Sequence, residues 1–267
     1  MLSSIANRLV ASTAAARYTV DGWFYRHSAD TEQTFERLRD SIHGKPLLVV
    51  GNGPSLNATP LEAFAHLPAI GMNKIDLLYP HTRWRPSLIV CVNNLVVSQH
   101  RHSFASSEVP VFLAWKCRWF MGRTRPANVH YFKGRATMDF SKQADEWVAG
   151  LSSTVTYTAL QFAHSLGGDP VVLFGLDHAF DTDQRESGIA RRQGPDRNHF
   201  DPNYFASGQA WGLPDLRGNE AAYWLAKRAF EEDGRQIFDA TIGGQLDVFP
   251  KISLAEARQI LMPPAGR

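Results

Sequence analysis

Leu47-Leu48-Val49-Val50-Gly51-Asn52-Gly53-Pro54-Ser55-Leu56 is the stretch on which the rest of the chain turns. Four apolar residues, two of them β-branched, stand between the turn formers Gly44-Lys45-Pro46 and a glycine-rich segment, which predicts a short buried strand. Strands that are apolar throughout belong to parallel sheets covered by helices. Ligands of such sheets bind beyond the carboxyl ends of the strands, where Gly51 to Ser55 fall. Two glycines let backbone N–H groups approach an anion with no Cβ in the way. Pro54 stiffens the turn, and Ser55 can cap a following helix or donate to a phosphate oxygen. The segment lacks the Lys-Ser/Thr ending of a Walker loop and the third glycine of a dinucleotide fingerprint. A turn with no ligand is the competing reading.

Outward from this segment the same grammar repeats. Strands are expected at 69–72, 87–92, 109–113, 171–174 and 236–240, and helices at 31–42, 60–65, 153–166 and 219–233. The alternation predicts an α/β, Rossmann-like, mostly parallel sheet. Residues 1–43 read as an N-terminal helical extension, and 44–267 as a single Rossmann-like domain with no internal repeat or linker. Between Asp181 and Pro214 the periodicity collapses into Gly, Pro, Asp, Arg and Asn. A run of that length is too long for an idle connection and reads as a lid-like active-site loop.

Composition narrows the class. Of 267 residues, 44% are hydrophobic and 20% charged, which excludes a disordered, collagenous or coiled-coil chain. No apolar run approaches the roughly 20 residues of a membrane span. Cys91 and Cys117 are the only cysteines, too few for a disulfide scaffold or a four-thiolate zinc site, so a reducing, cytoplasmic setting is expected; Cys91 reads as a core residue. A net charge of +2 argues against a nucleic-acid partner. Charge is nevertheless uneven: Val109 to Met138 holds no acid but carries Lys116, Arg118, Arg123, Arg125, Lys133 and Arg135, interleaved with Trp115, Trp119, Phe120, Tyr131 and Phe132. That stretch is either a solvated basic face or a wall for an acidic molecule or an anionic lipid surface. Met1 to Val20 also lacks acids, and its spacing suits an amphipathic helix packed on the domain or resting on a membrane.

Asparagines recur where strands are expected to end: Asn52, Asn73, and the pair Asn93 and Asn94. Carboxamides donate and accept, which suits ribose hydroxyls, a pyrimidine edge or a sugar phosphate without a metal. Local Asx turns are the competing explanation for any one of them. Two histidines stand out from the ten. His178 follows the strand at 171–174, and His199 lies in the irregular loop beside Asn198 and Asp201.

Leu48 to Leu56, Gly71-Met72-Asn73, Val90-Cys91-Val92-Asn93-Asn94, Ser152-Ser153-Thr154 and Leu173-Phe174-Gly175-Leu176-Asp177 resemble the successive blocks of two related families. One is the MptE-like family, named for an archaeal pterin pyrophosphokinase and including bacterial motility-accessory proteins. The other is the bacterial sialyltransferases of glycosyltransferase family 42, which use CMP-sialic acid. The similarity spans 46–250, and the tail Asp239 to Leu246 resembles the MptE-like end.

The resemblance implies a GT-A-variant fold and a nucleotide held by Gly51, Asn52, Gly53, Pro54, Ser55, Asn73, Asn93 and Asn94. Ser152, Ser153 and Thr154 would form the second half of the site, and Asp177 either touches the ligand or caps the chain after its strand. The sialyltransferase pattern implies a loop histidine as general base, here His199, and tyrosines that assist the departing phosphate. His178 follows Asp177 where a tyrosine is expected, so Tyr204 or His178 would take that role.

The expected reaction is therefore inverting, metal-independent transfer of an acidic sugar from a CMP-sugar donor to a surface glycan, lipid-linked or protein acceptor, with no obligatory cofactor. A histidine titrates near neutrality and suits the base; hydroxyls, amides and cationic groups suit the leaving phosphate. Peripheral contact with the inner face of a membrane and a homo-oligomer are compatible with this reading. The alternatives are an Mg-ATP pyrophosphokinase of the pterin type, for which Asp177, Asp181 and Asp183 are the nearest acidic cluster, and a non-catalytic nucleotide-binding subunit of a glycan assembly system.

Overall fold

A computed structural model describes residues 25, 28–122, 126–135, 139–142, 148–150, 154–180 and 188–262. The helix expected at 5–20, Ser152 and Ser153, Asp181 and Asp183, and the basic residues Arg123 and Arg125 lie outside the described residues.

The chain folds as an α/β, Rossmann-like sheet flanked by helices. Helix α1 (Ala29–Ile42) leads into β1 (Leu47–Val50), followed by β2 (Ala69–Met72) and β3 (Leu88–Cys91). Next come α2 (Asn94–Ala105), β4 (Val111–Ala114), β5 (Val129–Arg135), β6 (Val148–Gly150), α3 (Val155–Ser165) and β7 (Val171–Phe174). A hairpin of β8 (Ile189–Arg191) and β9 (Ala210–Gly212) precedes α4 (Leu216–Glu232), β10 (Ile237–Asp239) and α5 (Leu254–Leu261). The main sheet has eight strands in the order β10-β7-β1-β2-β3-β4-β5-β6, every pair parallel. All four residues of β1, β2, β3, β4 and β7 are buried, the physical counterpart of their uninterrupted apolar sequence.

Strand order decides where a crevice opens. From β1 the chain builds outward through β2 to β6, then returns to lay β7 on the opposite side of β1. The connections leaving β1 and β7 therefore diverge at their carboxyl ends, which is the switch point at which open α/β sheets bind ligands.

Helix α3 is enclosed: residues 156–164 are all buried, so it runs through the interior rather than along a wet face. Its Phe162 meets Phe112 of β4, Phe132 of β5 and Phe35 of α1 edge-on, at centroid distances of 5.3, 5.2 and 6.1 Å. Phe35 thus makes α1 a layer of the domain core rather than an appended extension. Its start follows from local chemistry, since Ser28 caps the Thr31 amide and Asp30 and Glu32 lie in the first turn.

Two sequence expectations change. No α-helix forms at 60–65; the glycine segment continues into two 3₁₀ turns, Pro54–Ala58 and Leu61–Phe64. The part of the expected lid that is described, 188–214, is an anchored structure. It contains the β8–β9 ladder and buries Phe200, Tyr204, Phe205 and Trp211. Three-residue strands are too short to leave a periodic signature, and the ordering comes from aromatic burial that no local pattern announces.

Candidate functional site

A cleft of about 150 Å³ opens at the switch point. Gly51, Asn52, Gly53, Asn73, Thr154, Asp177, His178 and His199, all singled out from the sequence, line it together. Residues not foreseen complete the wall, among them Thr156, Phe180, Asn198, Asn219 and Tyr223. Among the described residues no group of three His, Cys, Asp or Glu side chains is arranged to hold a metal ion.

The glycine segment is built differently from the anion cradle its sequence suggests. A Cβ on Gly53 would overlap the Asp177 carboxylate, and one on Gly51 would overlap the Gly175 carbonyl. The Ser55 amide donates to Asp177 Oδ1 at 3.0 Å and its hydroxyl donates to Oδ2 at 2.7 Å. The glycines thus let the β1 and β7 connections close on one another, and Asp177 takes the donors that a phosphate would have used. Pro54 opens the 3₁₀ turn, and neither it nor Ser55 lines the cleft.

The asparagines divide into two pairs. Asn52 and Asn73 reach the cleft, and each has a buried carboxamide oxygen without a hydrogen-bond partner. The Asn52 nitrogen donates to the Met72 carbonyl at 3.0 Å, which ties the ends of β1 and β2 together. Asn73 holds φ at +50°, a left-handed turn for which asparagine is among the better-suited residues. Asn93 and Asn94 do not line the cleft. Asn93 caps α2 through the Leu95 amide, and the Asn94 oxygen accepts from the Cys117 thiol at 3.2 Å. For Asn93 the Asx-capping reading describes the geometry, whereas Asn94 is held by a long-range contact.

Facing the carboxamides is the amino end of α3. Thr154 caps it by accepting from the Thr156 amide at 3.2 Å, and its hydroxyl also lies 3.2 Å from the Tyr223 hydroxyl. The positive end of an eleven-residue helix therefore points into the cleft. Burial holds the Tyr223 phenol above its ordinary value, so it stays a proton donor at neutral pH. His178, also at positive φ, bonds Glu220 at 2.9 Å and sits edge-on to the Tyr223 ring.

His199 has the most constrained surroundings in the cleft. Its Nδ1 lies 2.8 Å from Asp196 Oδ2, and its ring stacks flat on Tyr204 at 3.9 Å with a 2° interplanar angle. Phe205 closes the edge at 5.4 Å. Asp196 is almost wholly enclosed, with its side chain 1% exposed. Burial raises its pKa, but the His199 hydrogen bond and charge, the Asn198 amide and Arg192 outweigh that and hold it below the ordinary carboxylate value. An ionised Asp196 only accepts, so Nδ1 of His199 carries a proton, and the tautomer that pairing selects for the neutral ring has its lone pair on Nε2. Two further bonds fix the loop on the glycine segment: the Phe200 amide donates to the Asn52 carbonyl, and the Asn57 side chain donates to the Phe200 carbonyl.

Tyr204 is not on the cleft wall. It lies beneath His199, 1% exposed, and its hydroxyl accepts from the Lys74 amide at 3.3 Å. Lys74 is itself buried, donates to the Tyr204 carbonyl at 2.7 Å, and lies over the Phe205 ring at 4.7 Å. Burial lowers the Lys74 ammonium to about 8, against the opposing pull of Asp196 and Asp76. Asp196, Lys74 and Tyr223 carried no local signal; only the turn spacing Asp196-x-x-His199 hints at the first. The chain matches no protein-family model, no curated protein and no solved structure.

Proposed function

We propose that the protein is a glycosyltransferase that passes an acidic sugar from a CMP-activated donor to an acceptor hydroxyl by a single inverting displacement. The observation that carries this reading is that His199 lines the cleft with its Nδ1 held by the enclosed Asp196 carboxylate, the arrangement that orients an imidazole as a general base through Nε2. Nε2 takes the proton of the acceptor hydroxyl as its oxygen attacks the anomeric carbon. The bond to the nucleotide phosphate breaks in the same step, and its electron pair leaves on the phosphate oxygen.

Charge then develops at the leaving phosphate. In this reading the amino end of α3, with Thr154 and the Tyr223 hydroxyl, receives it, because these groups lie together on one wall of the cleft. Tyr223 thereby takes the role that the resemblance assigned to Tyr204 or His178. Asn52 and Asn73, both lining the cleft, supply carboxamides for a nucleoside's amino or hydroxyl groups.

The test is a thermal-shift series with CMP, CDP, UDP, GDP and ATP, each with EDTA and with Mg²⁺. Binding to the folded state raises Tm by mass action. A cytidine nucleotide is expected to give the largest rise, and to give it in EDTA. A rise confined to Mg-ATP would replace this reading with phosphoryl transfer. Nucleotide binding with full assembly activity retained in His199→Ala would replace it with a non-catalytic role.

A further inference from the structure

We infer that the turn at Trp115–Phe120 docks this protein on an anionic lipid bilayer, at the edge of the sheet that also carries the cleft. The turn leaves the carboxyl end of β4, and in an all-parallel sheet that end lies on the same side as the ends of β1 and β7. Three strand spacings separate β1 from β4, roughly 14 Å. An acceptor held in the headgroup layer is therefore within reach of the cleft.

Trp119 is 73% exposed and Phe120 37%, two adjacent aromatics on one turn. Trp119 is nonetheless held in position. The Arg118 guanidinium lies 4.1 Å from the Trp115 ring centre and 4.3 Å from that of Trp119, and it donates to the Trp115 carbonyl at 2.8 Å. A fixed, exposed indole beside cationic side chains is the pattern that partitions to a headgroup interface.

Charge selects the occupant. From Val109 to Met138 the chain contains six Lys and Arg and no acid, which suits an anionic surface. The other exposed aromatic–aliphatic pair, Trp224 and Leu225, lies on α4, where Lys227 sits over the Trp224 ring at 4.7 Å but Glu220, Glu231 and Glu232 balance Arg217, Lys227 and Arg228, so that helix lacks the net positive charge of the turn. A second observation converges on the same corner. Tyr25 packs edge-on against Trp115 at 5.5 Å and donates to the Tyr131 carbonyl at 2.7 Å.

The experiment is co-sedimentation of the full chain with sucrose-loaded vesicles, of phosphatidylcholine alone or with roughly one third phosphatidylglycerol, at low and high salt. Partitioning is expected to be roughly tenfold stronger on the anionic vesicles and to fall with salt. Trp119→Ala/Phe120→Ala is expected to lose roughly tenfold, and Lys116→Glu about fivefold or more, with Tm unchanged in both. Three outcomes overturn the inference: no preference for anionic vesicles, wild-type partitioning by both variants, or a wild-type dimer in solution that Trp119→Ala/Phe120→Ala converts to monomer. No nucleotide is present, so failure here is separable from failure of the proposed reaction.

Discussion

Asp196 Oδ2 lies 2.8 Å from His199 Nδ1, and that carboxylate also accepts the amides of Asn198 and Phe205. One enclosed acid thus orients an imidazole and shapes the loop that carries it. Replacing Asp196 with Asn keeps the size but offers Nδ1 a group that can donate, which favours the wrong tautomer. Asp196→Asn is expected to lower kcat by roughly 10²- to 10⁴-fold with little change in donor KM. Steady-state kinetics on the variant check this, and an unchanged kcat removes His199 from the base role.

The clasp between Asp177 and Ser55 separates a structural role from ligand contact. Removing the carboxylate in Asp177→Ala strands the Ser55 amide and hydroxyl, at about 1–3 kcal/mol. A fall in Tm is expected with no nucleotide present, and Gly53→Ala is expected to fall as well because its Cβ meets the same carboxylate. Thermal melts of the apo variants check this. Normal melting with weakened nucleotide binding would return Asp177 to the role of a ligand contact.

Lys74 predicts an alkaline signature. Its folded value, about 8, lies below its ordinary 10.5. Between the two, the unfolded chain holds a proton that the folded chain has released, so stability rises with pH across that window. The rise is on the order of 3 kcal/mol. Lys74→Met removes the titrating group and is expected to flatten the slope while leaving neutral-pH stability equal or higher. Urea unfolding across the window measures both, and parallel slopes in the two proteins would contradict the prediction.

On the acid side His130 and His164 act in one direction. Burial lowers both from 6.5, with Arg235 adding to the effect at His164. The neutral ring is favoured in the folded state, so stability is complete above 6.5 and is lost as pH falls through the folded values. His130 stacks at a 31° tilt on Phe112, 5.1 Å away, and its Nδ1 faces the Thr31 hydroxyl at 3.3 Å. His130→Gln is expected to be less stable at neutral pH and less sensitive to acid, read from urea midpoints on either side of 6.5.

Much of this protein is legible in one dimension. Strands β2 and β7 fall on the residues whose apolar runs predict them, because a strand buried on both faces has no polar alternation to confuse its reading. The carboxyl edge could likewise be foreseen from the turn formers that follow each run, and with it the meeting of Gly51, Asn52, Asn73, Asp177 and His178, while His199 was singled out from the irregular loop. Asn93 and Asn94 show where this kind of inference stops. They occupy the same position in the pattern as Asn52 and Asn73, yet a helix begins at Asn94 and a cap consumes the Asn93 side chain.

What the sequence determined by itself was the set of buried strands, their shared direction and the edge at which polar groups gather, since each follows from local hydrophobicity and turn chemistry. Which of those groups line the cleft depends instead on packing between distant segments. Asp177 reaches 122 residues back to Ser55, Tyr223 reaches 69 residues back to Thr154, and Tyr204 slides under His199 to leave its hydroxyl on Lys74. Hydrogen bonds over such separations depend on strand order and helix packing, and no window of neighbouring residues contains that information.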